Sequence, residues 1–207
     1  MILEGLVVLA LTFVFFAFRY FTETVLVKVT RPLLILDMNN VLVYRAFAPT
    51  QAKEKPESVP FNDQATLLGG KFYTWKRPHL DSFIEYCFNN FTVAVWSSAL
   101  GHNVNDLVDF VFGDRKSELL FIWDQKHCDA VTLPDPANPI LYQKPLFKKP
   151  LAKVWAVYPE YDETNTLLMD DSAEKVQDNP PLTWLSVKPW RVEDQNDTVL
   201  VDMKIKN

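Results

Sequence analysis

The sequence predicts an α/β fold with a mainly parallel sheet and helices on its faces. Three observations carry that prediction. Short apolar runs such as LLIL at 33–36 and TVAV at 92–95 have the length and composition of buried strands. Between them lie segments whose apolar residues recur at helical intervals, as in LDSFIEYCFNNF. Strand and helix patterns alternate along the chain, and such alternation builds parallel βαβ units.

The elements follow in order. Leu33 to Leu36 form a first strand bounded by Pro32, and VLVY at 41–44 resumes the apolar run after Asn39 and Asn40. Residues 48–66 are polar and contain prolines, which makes them an exposed loop or flap. Leu80, Phe83, Ile84 and Cys87 share one face of a helix. TVAVWSSA is a second buried strand that ends in the hydroxyl residues Ser97 and Ser98. Val104, Leu107, Val108 and Val111 mark a second helix, and LLFIWD a short strand. PLAKVWAVY is helical, with Pro150 tolerated in its first turn. TLLMDDS is a strand ending in acids, and TWLSV a last strand before a polar tail. There is no internal repeat and no low-complexity tract.

Composition narrows the function classes. A chain of 207 residues, 48% hydrophobic and 23% charged, is long enough for one sizeable domain. Its formal charge of -5 gives no basic footprint, which argues against a dedicated nucleic-acid binder. Cys87 and Cys128 form neither a disulfide framework nor a metal motif, so a reducing compartment is expected. His79, His102 and His127 are scattered and are read as surface or core residues.

The N-terminus has a different character. Residues 1–18 carry one charge, Glu4. As a helix they would be about 27 Å long, close to the ~30 Å hydrocarbon core of a bilayer. No positive region precedes the run and no small-residue cleavage site closes it, so a removed signal peptide is disfavoured. The expected organisation is a membrane anchor at 1–22, a domain at 31–190 and a tail at 191–207. Arg19, Lys28 and Arg31 would keep the domain in the cytosol or nucleoplasm. The alternative is a soluble intracellular chain in which residues 1–18 pack on the domain.

In parallel sheets, ligands bind beyond the carboxyl ends of the strands. The first strand ends in Asp37, the second in Ser97, and a later one in Asp170 and Asp171. Each has an ordinary explanation: a turn residue, or a helix N-cap before SAEKV. Three polar groups at successive strand ends are harder to explain that way. Carboxylates from two strands can share a Mg²⁺, and a neighbouring carboxylate can attack phosphorus. A serine can bind the phosphoryl oxygens and a lysine can neutralise their charge; Lys144, Lys148 and Lys149 are the candidates.

DMNNVL after an apolar strand resembles the D-x-D-x-T/V signature of haloacid dehalogenase-like phosphatases. YTWKRPHLDSFIEYCFNNFTVAVWSSA, KKPLAKVW and TLLMDDSAEKVQDNPP are similar to successive blocks of one branch, the RNA polymerase C-terminal-domain phosphatase or NLI-interacting-factor-like family. The likeness runs over about residues 31 to 190. It implies a Rossmann-like sheet of the haloacid dehalogenase type, a flap inserted after the first strand, and Mg²⁺-dependent hydrolysis of phosphoserine or phosphothreonine proteins. By that resemblance Asp37 is the nucleophile and a Mg²⁺ ligand, Ser97 binds the phosphoryl group, and Asp170 is a second ligand. Asp171 would orient that ligand or a metal-bound water. Lys149 matches the family's lysine best and Lys144 second.

Asn39 departs from the pattern. In active members a carboxylate here is the general acid and base, and the backbone carbonyl holds the metal. An amide keeps the carbonyl but cannot transfer the proton, a loss of about 10²–10⁴-fold. Two readings follow: a weakened phosphoprotein phosphatase, or a pseudophosphatase serving as a phosphoprotein-binding or scaffold module. Glu54, Glu57 or Asp63 of the flap could supply a replacement acid.

Overall fold

A computed structural model describes residues 31–48, 66–132 and 145–205. The expectations for residues 1–18, for Glu54, Glu57 and Asp63, and for Lys144 fall outside these residues.

The first strand, β1 (Leu33–Leu36), leads into an excursion of three strands: β2 (Val43–Phe47), β3 (Thr66–Leu68) and β4 (Phe72–Lys76). Then come α1 (Leu80–Asn90), β5 (Thr92–Trp96), α2 (Gly101–Phe112) and β6 (Ile122–Trp123). After them lie β7 (Asp129–Val131), β8 (Leu146–Lys148), α3 (Ala152–Val157) and β9 (Thr166–Asp170). The chain ends in α4 (Ala173–Val176), β10 (Trp184–Ser186) and α5 (Val199–Ile205).

Five strands make one sheet in the order β10-β9-β1-β5-β6, and every pairing is parallel. Leu36 lies beside Val95 on one side and Met169 on the other. Alternation along β1 divides the core in two, since successive side chains of a strand point to opposite faces. Leu34 and Leu36 pack with Phe83 and Cys87 of α1 and Leu107 and Val108 of α2. Leu33 and Ile35 pack with Trp96, Leu151, Val154 and Val176 on the other face. Asp37 follows with the parity of Leu33 and Ile35, which is the face covered by α3 and α4.

From β1 the chain winds to one side through β5 and β6, and later returns to fill the other side with β9 and β10. The winding therefore reverses at β1. A crevice opens at such a reversal, beyond the carboxyl ends of the strands.

β2, β4 and β3 form a separate antiparallel sheet after the first strand, and residues 49–65 of the loop or flap expected at 48–66 lie outside the described residues. The turn joining β3 to β4 holds Gly69 and Gly70 at φ of 56° and 64°, a left-handed conformation that glycine adopts at low cost. Within YTWK the buried Tyr73 and Trp75 pack with Trp190 and Val192 in a third small core. Aromatic residues alternating with polar ones are a strand pattern, read from sequence only as part of a motif.

Residues 191–205 differ from the polar tail read in the sequence. They include α5, whose Leu200 is buried in the main core, and Asp197, which is 5% exposed. One helical turn of apolar residues, VLV, is too short to display a period. Among the described residues no helix is long and apolar enough to cross a membrane.

Candidate active site

β1 delivers Asp37 to the crevice. Its backbone amide donates to Met169 O of β9 at 2.9 Å, which extends the ladder one residue past the strand. The chain then turns sharply: Leu42 and Val43 amides both return to Met38 O, at 3.0 and 3.1 Å. Asn40 sits in the turn at φ 59°, a conformation asparagine tolerates better than most residues. Its side chain donates to Asp171 Oδ2 at 2.9 Å, tying the turn to the end of β9.

Asp37, Lys149 and Asp170 meet in the interior, at 2%, 0% and 0% exposure. Lys149 Nζ lies 2.5 Å from Asp170 Oδ2 and 3.2 Å from Asp37 Oδ1. The contact to Asp37 is an ion pair without hydrogen-bond geometry, so the buried Asp37 Oδ1 accepts no hydrogen bond. Asp170 Oδ1 accepts from the Ser172 amide at 2.9 Å.

The two buried acids differ electrostatically. Burial pushes the Asp37 pKa up; Lys149 opposes the shift and the neighbouring Asp170 adds to it. Burial works against the Asp170 carboxylate too, but Lys149 and Lys175, with the hydrogen bonds to Asp170, outweigh it and hold its pKa low. Desolvation disfavours the Lys149 ammonium, and Asp37 and Asp170 more than reverse this, so its pKa is raised.

Lys149 is fixed from behind. Asn179, in the NPP turn, donates from Nδ2 to Lys149 O at 2.9 Å and accepts from the Leu151 amide at 2.7 Å. The Lys149 amide itself donates to Lys175 O at 2.9 Å. Ser97 is wholly buried at the end of β5, and its Oγ accepts from the Ala99 amide at 3.3 Å. Asn39 Oδ1 is buried without a hydrogen-bond partner.

The structure thus brings Asp37, Lys149, Asp170 and Asp171 into one cluster and leaves Ser97 at the neighbouring strand end. Lys148 points elsewhere, to an exposed pair with Asp178. Lys175 joins the cluster without having been anticipated. Its Nζ lies 3.3 Å from Asp170 Oδ1 and 3.5 Å from Asp171 Oδ1. A lysine on a short helix is usually solvated, and only its spacing of four residues from Asp171 hinted otherwise.

Asp37, Asp170 and Asp171 each offer an oxygen, and these oxygens lie within 4.8 Å of one another. Hard carboxylate oxygens at that separation fit a small divalent cation such as Mg²⁺, and one oxygen of Asp37 is buried without a hydrogen bond. A separate cavity of about 430 Å³, lined by Leu34, Phe83, Cys87 and Met169 among others, is apolar and shares no residue with this cluster.

A family model for the NLI interacting factor-like phosphatases matches residues 32–205. The chain belongs to that family. Phosphatase-type function is the class that this membership supports. A CTD phosphatase-like protein of invertebrate iridescent virus 3 is 26% identical over 189 residues, 84% of this chain and 94% of that relative. Its counterpart in invertebrate iridescent virus 6 is 28% identical over 118 residues, 55% of this chain and 60% of that relative. The fold is shared with fission yeast Fcp1, an RNA polymerase II CTD phosphatase, in a variant bound to beryllium fluoride. There the TM-score is 0.54 at 14% identity, over 86% of this chain and 52% of the other. A second Fcp1 structure gives 0.54 at 16% identity, over 78% of this chain and 42% of that one. The family match extends past residue 190, so it takes in α5.

Proposed function

We propose that the chain is a phosphoprotein phosphatase of weakened acid–base chemistry, acting through an aspartyl phosphate on Asp37. One observation carries this reading: Asp37 stands buried at the point where the sheet reverses, with Lys149 reaching both it and Asp170, and with one oxygen accepting no hydrogen bond. A carboxylate oxygen that accepts no hydrogen bond keeps its lone pairs for attack. A phosphoprotein substrate agrees with the relatives' names as CTD phosphatase-like proteins, and phosphoserine or phosphothreonine is the form the sequence resemblance implies.

In the first step Asp37 would form a bond to phosphorus as the bond to the leaving oxygen breaks. Lys149 neutralises charge on the transferring oxygens and on the attacking acid. Ser97 would donate its hydroxyl proton to a phosphoryl oxygen. Asp37, Asp170 and Asp171 would hold a Mg²⁺, with the Asn39 carbonyl; bound there, it would polarise the phosphoryl group. Asn39 leaves the alkoxide without a proton donor and the later attacking water without a base. A phenolate leaves readily without that proton, whereas a serine alkoxide does not. The expected loss is therefore concentrated on alkyl phosphates, at about 10²–10⁴-fold.

The second reading is a pseudophosphatase that binds phosphoprotein. The amide at Asn39 favours it, since both half-reactions use the missing carboxylate. A rapid-mix assay of the full chain with an aryl phosphate and Mg²⁺ separates the two. Turnover, or one equivalent of phenol released in a burst, each abolished by Asp37→Asn, supports the enzyme. Neither burst nor turnover refutes it in favour of the binding module.

A further inference from the structure

Lys149 and Lys175 divide the carboxylate oxygens between them. Lys149 faces Asp37 Oδ1 and Asp170 Oδ2 at 3.2 and 2.5 Å. Lys175 faces the opposite oxygens, Asp37 Oδ2 at 3.9 Å and Asp170 Oδ1 at 3.3 Å, and reaches Asp171 Oδ1 at 3.5 Å. The three acids that Lys175 touches are the same three whose oxygens converge as a cation site. Three carboxylates and two ammonium groups leave the cluster with a formal charge of only about one negative unit, so it is largely neutralised before any metal arrives.

The two lysines are not equally free. Lys149 is fully buried, held by Asn179 at its carbonyl. The Lys175 side chain is 17% exposed on the outer side of the cluster, at the end of a flexible stem. Its position is set by α4: the Lys175 amide donates to Ser172 O at 3.1 Å, and its carbonyl accepts from the Lys149 amide at 2.9 Å. Its ammonium faces three carboxylates, so the contact is one between opposite charges.

We infer that Lys175 is a resident cation that competes with Mg²⁺ for the Asp37, Asp170 and Asp171 carboxylates, and that the ammonium must swing outward for the metal to bind. This rests on the reading of those acids as cation ligands. It makes the site a low-affinity one that is stable when empty, and it makes metal loading depend on a single mobile side chain. An ammonium and a divalent cation held by the same carboxylates repel strongly at the low effective dielectric of a buried site.

The test is a Mg²⁺ titration of the full chain, followed by calorimetry and by thermal unfolding, for wild type, K175M and K175R. K175M keeps the length and removes the charge. Its apparent affinity for Mg²⁺ is expected to be at least tenfold tighter than wild type. Its melting temperature without metal should be lower, and its gain on adding Mg²⁺ larger, by mass action. K175R should stay within a few-fold of wild type. An affinity for K175M within twofold of wild type, or weaker, overturns the competition, as does absence of a Mg²⁺ response in both proteins. Should K175M fail to fold, K175Q carries the same comparison. The readout needs no turnover. A tenfold effect in a chain that never releases phenol refutes the proposed activity alone, while an active chain with no effect refutes the competition alone.

Discussion

Replacing Arg77 with methionine should destabilise the domain severely, and the structure gives the size. Arg77 is fully buried, as is Asp197 to within 5% exposure. The pair is bidentate, Nε to Oδ1 at 2.7 Å and Nη2 to Oδ2 at 2.8 Å. Two further donors reach Val41 O at 3.0 Å and Lys188 O at 3.3 Å. One side chain thus joins the turn after Asp37, the strand β4 end and the segment leading to α5. Removing it strands the Asp197 carboxylate away from water, a loss of about 3–5 kcal/mol. The carbonyl of Val41 adds about 1 kcal/mol as an unsatisfied acceptor. The sum is on the order of 4–6 kcal/mol, a large part of a whole domain's stability. For a domain of this size that is a fall in Tm of roughly 10–20 °C.

The assay is urea and thermal unfolding of the full chain by tryptophan fluorescence. R77M/D197L should recover more than half of the loss, because replacing both members of a buried pair leaves no stranded charge. A loss below about 1 kcal/mol for R77M would refute the clamp, since it would mean that water reaches Asp197 freely.

Other outcomes follow from the same contacts. Burial disfavours the Asp197 carboxylate, but Arg77 outweighs it and holds its pKa below 3.8; this contribution is full above that value and is lost as pH falls through the folded-state pKa. Acid unfolding of the wild type should therefore include a component below about pH 4 that R77M/D197L lacks. Asn179→Ala should cost about 1–3 kcal/mol by orphaning Lys149 O and the Leu151 amide, and should slow phosphoryl transfer more than it weakens Mg²⁺ binding; equal effects on both would refute a positioning role. Asn39→Asp should raise turnover of alkyl phosphates by about 10²–10⁴-fold and of aryl phosphates far less, read in steady-state assays of both substrates; a uniform gain would mean that proton transfer to the leaving group is not what Asn39 removed.

The central sheet and the meeting of Asp37 with Asp170 were legible because strand ends in a parallel sheet share one edge. That rule needs only the order of apolar runs and what terminates each. Lys149 was legible through family resemblance, and its burial is what composition could not supply: a lysine is solvated by default, and its enclosure depends on Asn179 and α4 closing over it. Lys175 escaped for the same reason without a motif to rescue it. Arg77 lies inside a motif but its partner is 120 residues away, in a segment of mixed polarity with no period. Tertiary charge pairing leaves no local trace, so a tail and a clamp look alike in sequence.

Asn39 and Lys175 act on the same quantity. An aspartate at 39 would add a fourth negative charge near the cluster, and a neutral residue at 175 would remove one of two positive ones. The amide at 39 and the ammonium at 175 each leave the site less negative than an acid at 39 or a neutral side chain at 175 would. They would also be coupled, because each changes the field that the other side chain sits in, and effects of neighbouring charges do not add. The amide at 39 and the lysine on α4 therefore bear on one charge balance. A site that is nearly neutral at rest can hold Asp37 and Asp170 buried in the absence of metal, where three uncompensated carboxylates would repel and pull the strand ends apart. Asp37, Lys149 and Asp170 are then compatible with a stable empty state, and on the proposed reading metal loading would be the step at which chemistry is permitted or withheld.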